Sequence, residues 1–235
     1  MPGDFIYGAD DVLRMLDQLL VRRDGRWWDE FFEDRAKPCP FFVDWPDENL
    51  VEWFEGGQLP KGRALELGCG HGRNAIYLAA QGWTVDAVDF SAEALGWAAE
   101  RAGHAGVEVA FQRASIFDAD IPAGAYDLVY DSGCFHHLPP HRRAGYVELT
   151  RRALRPGGRF GLVCFRPEGG SGLSDQDVYE QRGTGGGLGY TEESLRMMWD
   201  QGGFETHVLR QMIKSNGHED VFGEDFLWVL LATRV

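Results

Sequence analysis

The sequence is poor in several things, and each shortage narrows what the chain can be. Positive charge is in deficit: 23 lysines and arginines face 37 aspartates and glutamates, a formal net charge of −14. A field of that sign repels phosphate backbones and anionic lipid, so neither a nucleic-acid binder nor a membrane-surface protein is expected. The longest apolar run, residues 227–232, falls far short of the roughly 18 residues that span a bilayer. The first residues show no basic flank leading into an apolar stretch, so no secretory leader is expected and the cytoplasm is the default compartment. Cys39, Cys69, Cys134 and Cys164 are spread singly with no CxxC pair, which argues against a zinc knuckle, a redox dithiol and a disulfide scaffold. Repeats, heptads and low-complexity tails are also missing. With 44% hydrophobic and 26% charged residues, the 235-residue chain has ordinary globular composition and enough length for a sizeable core.

What is present is organised in two parts. Residues 10–22 place Val12, Met15, Leu16, Leu19 and Leu20 at helical spacing, with Asp11, Arg14, Asp17 and Gln18 opposite. Residues 27–54 then hold nine of the chain's thirty aromatics, among them Trp27, Trp28, Phe31 and Phe32. Such a cluster needs a surface to pack on, either as a buried extension or as the roof of a pocket in the domain that follows. We expect 1–59 to be a helical extension or lid and 60–235 to be one domain.

From residue 63 onward short strand-like runs alternate with helical patterns, the signature of a parallel α/β sheet. Strands are expected at 63–67, 84–88, 107–112, 126–130 and 159–165. Gly82 and Gly103 are expected to end two helices, Ser91 to cap one, Pro139-Pro140 to open another, and Arg155-Pro156-Gly157-Gly158 to turn into the fifth strand. Residues 165–190 contain eight glycines and almost no apolar periodicity, a loop of the length that is usually functional or disordered. Thr191 caps a further helix, and runs at 206–212 and 226–233 read as a final antiparallel pair.

The segment that carries chemistry runs from Ala64 to Asn74 and reads ALELGCGHGRN: a strand, three alternating glycines, then a helix. Glycines there let backbone approach a ligand, and the helix N-terminus offers free N–H groups. Asp89, at the end of the second strand, is placed to accept hydrogen bonds from a ribose diol. A dinucleotide turn wants G-x-G-x-x-G, but the third glycine arrives one residue early, at Gly72, and Arg73 holds the dinucleotide position. The E-x-G-x-G-x-G pattern instead resembles class I S-adenosylmethionine-dependent methyltransferases over roughly residues 60–235. That resemblance implies a Rossmann-like seven-stranded sheet in the order 3-2-1-4-5-7-6, with only the last-inserted strand antiparallel.

Carried over by position, the resemblance makes Gly68, Gly70 and Gly72 the turn under the methionyl chain, together with Cys69 and Asn74. Glu66 would anchor that turn, Asp89 would hold the ribose and Phe90 would flank the adenine. The family's usual acid at the adenine amino group is replaced by Ser115, with Ile116 backbone beside it. After the fourth strand, Asp131-Ser132-Gly133-Cys134-Phe135-His136-His137 resembles the small-molecule branch, thiopurine and thiol methyltransferases in particular. The D/N-P-P-aromatic and Pro-Cys motifs of base-modifying DNA methyltransferases are not found at this place.

His136, His137 and Asp131 are candidate bases, needed for a hydroxyl acceptor and dispensable for a thiol that reacts as its thiolate. Asp131 is also a candidate cofactor contact. Cys134 is expected to be a small buried residue, and Arg142-Arg143 and Arg151-Arg152 a solvated face. His71 is expected to point to solvent or the lid, since no second ligand has metal-site spacing. The expected activity is methyl transfer from S-adenosylmethionine, giving S-adenosylhomocysteine, to a small molecule whose heteroatom stays open, as does the oligomeric state. The alternatives are a catalytically silent S-adenosylmethionine binder and a nucleotide-cofactor oxidoreductase.

Overall fold

The computed structural model describes residues 5–20, 25–59, 61–215 and 220–235. Its centre is a seven-stranded sheet, β1 (Arg63–Leu67), β2 (Thr84–Asp89), β3 (Ala110–Arg113), β4 (Tyr126–Ser132), β5 (Leu154–Phe165), β6 (Phe204–Gln211) and β7 (Leu227–Arg234), in the order β3-β2-β1-β4-β5-β7-β6. Strands β3, β2, β1, β4 and β5 pair in parallel, whereas β7 runs antiparallel to both β5 and β6. This is the topology that the glycine motif led us to expect.

Helices cover both faces because the central strands bury residues on both. Before the sheet come α1 (Ala9–Leu19), α2 (Gly25–Glu33) and α3 (Glu48–Glu55). Between and after the strands come α4 (Arg73–Ala80), α5 (Ala92–Ala105), α6 (Arg143–Ala153), α7 (Asp175–Glu180) and α8 (Glu192–Gln201). One core lies under α6 and α8, with Val129, Tyr146, Phe160, Leu162, Leu195, Trp199 and Leu230. The other lies under α3 and α4, with Leu50, Trp53, Leu78, Leu128, Tyr130, Val163 and Val229. In β4 the neighbours Leu128 and Val129 thus serve opposite faces, as the period of a strand requires.

Local differences from the expected boundaries have physical causes. Helix α5 passes Gly103 and stops at Gly106, whose φ of +67° makes it the left-handed cap, and the Val107 N–H closes back on the Ala102 carbonyl. Residue 107 is therefore spent on ending the helix, and β3 begins only at Ala110. Strand β5 starts at Leu154: Tyr126 pairs Leu154, Leu128 pairs Arg159, and Arg155-Pro156-Gly157-Gly158 bulges out between them. Residues 165–190 are not a structureless linker. Ser174 caps α7 through the Asp177 N–H, and Val178, Leu188 and Tyr190 are buried.

Packing ties part of the segment before residue 60 to the sheet. Trp53 of α3 fits where β5 has Gly161; a Cβ on that glycine would lie 2.9 Å from the indole. Asp47 and Phe222 form a parallel bridge, so the entry to α3 is tied to the C-terminal part of the chain. Helix α3 thus packs into one of the two cores, through Leu50 and Trp53. Helix α1, which has no fully buried residue, is held by polar contacts: Asp17 pairs with Arg142 and takes a 2.8 Å hydrogen bond from His141, and Arg182 Nε donates to the Leu19 carbonyl. The continuation of this helix expected at 21–22 lies outside the described residues. Arg142 and Arg143 are consequently no solvated face; Arg143 bridges Asp175 and the Tyr190 hydroxyl. Arg151, bonded to Glu148, is on the surface as expected. Among the described residues no helix is long and apolar enough to cross a membrane.

Candidate active site

The carboxyl ends of β1 and β2 build the first half of the site. Gly68 and Cys69 N–H groups both donate to the Val88 carbonyl, at 2.8 and 3.0 Å, folding the turn back over β2. The Gly70 N–H donates to Asp89 Oδ2 at 2.7 Å, and the Ser91 N–H to Asp89 Oδ1 at 2.8 Å. Asp89 therefore shapes the turn besides closing β2; its burial pushes the carboxyl above the usual range, against the backbone donors that favour the charge. Ser91 Oγ caps α5 at Ala94.

The three glycines have different reasons to be glycine. A Cβ on Gly68 would lie 2.5 Å from Cys134 Cβ, and one on Gly72 would lie 3.0 Å from Ala98 Cβ, both packing constraints inside the domain. A Cβ on Gly70 would instead point out to α2 and meet Phe32 Cζ at 3.4 Å. Of the three, only Gly70 has its side-chain direction toward α2 rather than into the sheet domain.

Beneath the turn lies a buried polar network. Asn74 does not reach toward a ligand: its Oδ1 accepts the Asp47 N–H and its Nδ2 donates to Asp47 Oδ2. Arg73, which entered the sequence argument only as a missing glycine, is buried, pairs with Asp47 at 2.5 Å and donates to Ser132 Oγ at 3.0 Å. Asp47 also accepts from the Tyr130 hydroxyl. Glu66 sits in this network; burial, opposed by Arg73 and reinforced by Asp47, pushes its carboxyl up to about 8. Cys69 is buried in the core under α4. Of the residues expected beside the adenine, Phe90 is 39% exposed, Ile116 is buried, and Ser115 Oγ accepts the Phe117 N–H, which closes its own turn.

The ends of β4 and β5 build the second half. Asp131 is fully buried and its oxygens accept the Cys134 N–H (2.8 Å), the Phe135 N–H (3.0 Å) and the Tyr146 hydroxyl (2.5 Å). Burial pushes it up to about 7. A base at Asp131 would have to give up those bonds, so the geometry makes it the anchor of the turn rather than a free proton acceptor. His136, 4% exposed, stacks on Phe165 at 3.7 Å, and its Nδ1 has no hydrogen-bond partner among the described residues. Burial, then the neighbouring His137, holds this imidazole neutral well below its ordinary pKa. His137 stands edge-on to Trp28 at 5.0 Å. The Leu188 N–H donates to the His136 carbonyl, which brings the glycine-rich segment onto this wall.

Of the two surroundings expected for His71, solvent or the N-terminal segment, it has the second. It is buried beneath the N-terminal segment, donating to the Val43 carbonyl at 3.0 Å and lying 4.4 Å from the Trp97 ring, and burial drops its pKa to about 3. Phe32 was among the aromatics expected to be buried or to roof a pocket, whereas Asp47, Arg73, Asp29 and Tyr146 were missed from sequence. Each acts through a partner distant in the chain, and no local spacing signals that.

The glycine turn, the acid at the end of β2 and this strand order agree with the resemblance to class I S-adenosylmethionine-dependent methyltransferases. The family profile described as "Methyltransferase domain" matches residues 64–158. A 2-heptyl-1-hydroxyquinolin-4(1H)-one methyltransferase of Mycobacteroides abscessus is 30% identical over 64% of this chain and 66% of its own length. A 27-O-demethylrifamycin SV methyltransferase of Amycolatopsis mediterranei is 31% identical over 70% of this chain and 59% of its own. The chain thus spans less than two thirds of either relative. Among solved structures, one described as converting a disulfide bond into a thioacetal group during echinomycin biosynthesis has a TM-score of 0.68 at 21% identity, covering 89% of this chain and 92% of its own. Magnesium protoporphyrin IX methyltransferase of Synechocystis PCC 6803, with bound SAH, has 0.60 at 17%, covering 99% and 90%. At these identities the structures speak for the fold.

Proposed function

We propose that the protein transfers a methyl group from S-adenosylmethionine to a hydroxyl of a small aromatic acceptor, in the cytoplasm and without a nucleic-acid or membrane partner. The residues fit the donor: Gly70, where a side chain would meet only the Phe32 ring of α2, offers bare backbone to a methionyl chain once that ring gives way, and Asp89 would meet the ribose with lone pairs to spare. When bound, S-adenosylmethionine supplies a methyl group already activated by its sulfonium. What the chain must add is alignment, exclusion of water and a place for the acceptor's proton.

The observation that carries the hydroxyl reading is His136, a neutral imidazole with an orphaned Nδ1 in an aromatic wall. A buried polar atom without a partner costs free energy, and an acceptor O–H would satisfy it. His136 Nδ1 takes the proton as the oxygen is methylated, and His137 and Trp28 close the wall. The relatives named for a hydroxyquinolone and for 27-O-demethylrifamycin lend the same direction. A thiol acceptor, as in the thiopurine branch that the fourth-strand motif resembles, would leave His136 idle.

Calorimetry tests the donor half: Asp89→Ala should weaken S-adenosylmethionine binding by about 1.5–3 kcal/mol, the scale of hydrogen bonds to a charged group. Unchanged affinity in a folded variant would remove Asp89 from the ribose. The acceptor half is tested by screening phenols, hydroxyquinolines and thiols for S-adenosylhomocysteine release. His136→Asn should lower kcat for a hydroxyl by about 10²- to 10⁴-fold, the usual contribution of a positioned base. An equal effect on hydroxyl and thiol substrates would reject the base.

A further inference from the structure

Helix α2 touches both halves of the crevice. On one side Phe32 covers Gly70, the turn's only glycine whose side-chain direction opens outward. Asp29 reinforces that side: its Oδ1 accepts from Ser91 Oγ at 2.7 Å and from the Glu93 N–H at 3.3 Å, and its Oδ2 pairs with Arg113 at 3.4 Å. On the other side Trp28 stands against His137 on the β4 wall. Trp28 and Phe32 lie four residues apart, one turn of the same helix, so a displacement of either is transmitted to the other.

We propose that α2 couples the two halves: Phe32 must leave the space over Gly70 for the donor to be held there, and its departure resets Trp28 against His137, so the acceptor wall is completed only in the donor-loaded protein. The proposal rests on the assignment of the Gly68–Gly72 turn to the donor and of His136 and His137 to the acceptor. Its consequence is ordered binding, donor before acceptor, because the ring that occupies the donor's place also fixes the acceptor's wall. A ligand shifts such an equilibrium only through differential contact with its two states, and Phe32 over Gly70 supplies that difference.

The test uses the full chain labelled with 5-fluorotryptophan, the Trp28 resonance being assigned by Trp28→Phe, and S-adenosylhomocysteine as the probe. In the wild type the probe should shift the Trp28 resonance. In Phe32→Ala the probe should still bind, with unchanged or up to about tenfold higher affinity because more molecules have the cradle open. The Trp28 resonance of that variant should no longer respond. A persisting response would mean that the probe reaches Trp28 directly, and an unresponsive Trp28 in a saturated wild type would mean that the halves are uncoupled; either overturns the proposal. Loss of probe binding in Phe32→Ala also overturns it, since a ring that must leave for the donor cannot be needed to hold it. Should that variant not fold, Phe32→Leu is judged by the same criteria. Failure of the wild type to bind the probe would instead strike the donor assignment itself.

Discussion

Helices α2 and α3 come from the same aromatic-rich stretch and take up different roles. In α3, Leu50 and Trp53 are buried to 0% and 1% exposure against the sheet, and Asp47 at its cap is locked to Arg73 and Asn74. In α2, Trp28 packs on His137 and Phe32 over Gly70, a wall and a turn that ligands are proposed to use. Burial of the aromatics is therefore realised in α3, whereas the roofing of a pocket is the role proposed for α2. Enrichment in one residue type along a sequence does not imply one role.

The comparison breaks most visibly in the two tryptophans. Trp53→Ala should cost about 3–5 kcal/mol, because the notch over Gly161 cannot collapse. Trp28→Ala should cost about 1 kcal/mol or less while acceptor turnover falls at least about tenfold. Urea unfolding of the two variants decides; similar losses would erase the distinction. Removal of residues 1–35 sharpens it, taking α1 and α2 but leaving α3. The remaining protein should lose less than about 2 kcal/mol yet turn over acceptor far more slowly. Full activity of the truncated protein would leave α2 without a role at the site.

A pH-dependent effect lies in the network below α3. The Glu66 carboxyl, at 4.5 in its ordinary state, is pushed up to about 8 in the fold. A raised acid binds its proton more tightly folded than unfolded, so its contribution to stability is complete below the lower value and is lost as pH rises through the higher one. Wild-type stability should therefore decline between about pH 5 and pH 8 by more than that of Glu66→Gln, which carries no proton to lose. Melting temperatures at both ends of that window check it. Parallel slopes would mean that Glu66 keeps its charge beside Arg73.

Sequence alone made the sheet legible, since buried parallel strands advertise themselves as short apolar runs and the glycine turn stands out by spacing. Ser91 and Thr191 were read correctly as caps because capping is decided within four residues. What could not be read depends on contacts between distant segments. Arg142 and Arg143 look like any pair of surface arginines until Asp17, from 125 residues away, and Asp175 are brought to them. His71 and Asn74 sit in a ligand-binding motif, yet their side chains serve Val43 and Asp47 of the N-terminal segment. The glycines of 165–190 suggested freedom, whereas a Cβ on Gly187 would lie 2.7 Å from Phe165 and 3.0 Å from His136, so that glycine is there for close approach.

The notch at Gly161 has a consequence for how the protein is made. Trp53 leaves the ribosome about a hundred residues of chain ahead of its receiving strand. At translation rates of about 5–20 residues per second its indole is without its resting place for roughly 5–20 s. Helix α3 is thus made well before the strand it docks on, and its apolar face needs cover in the nascent chain until then.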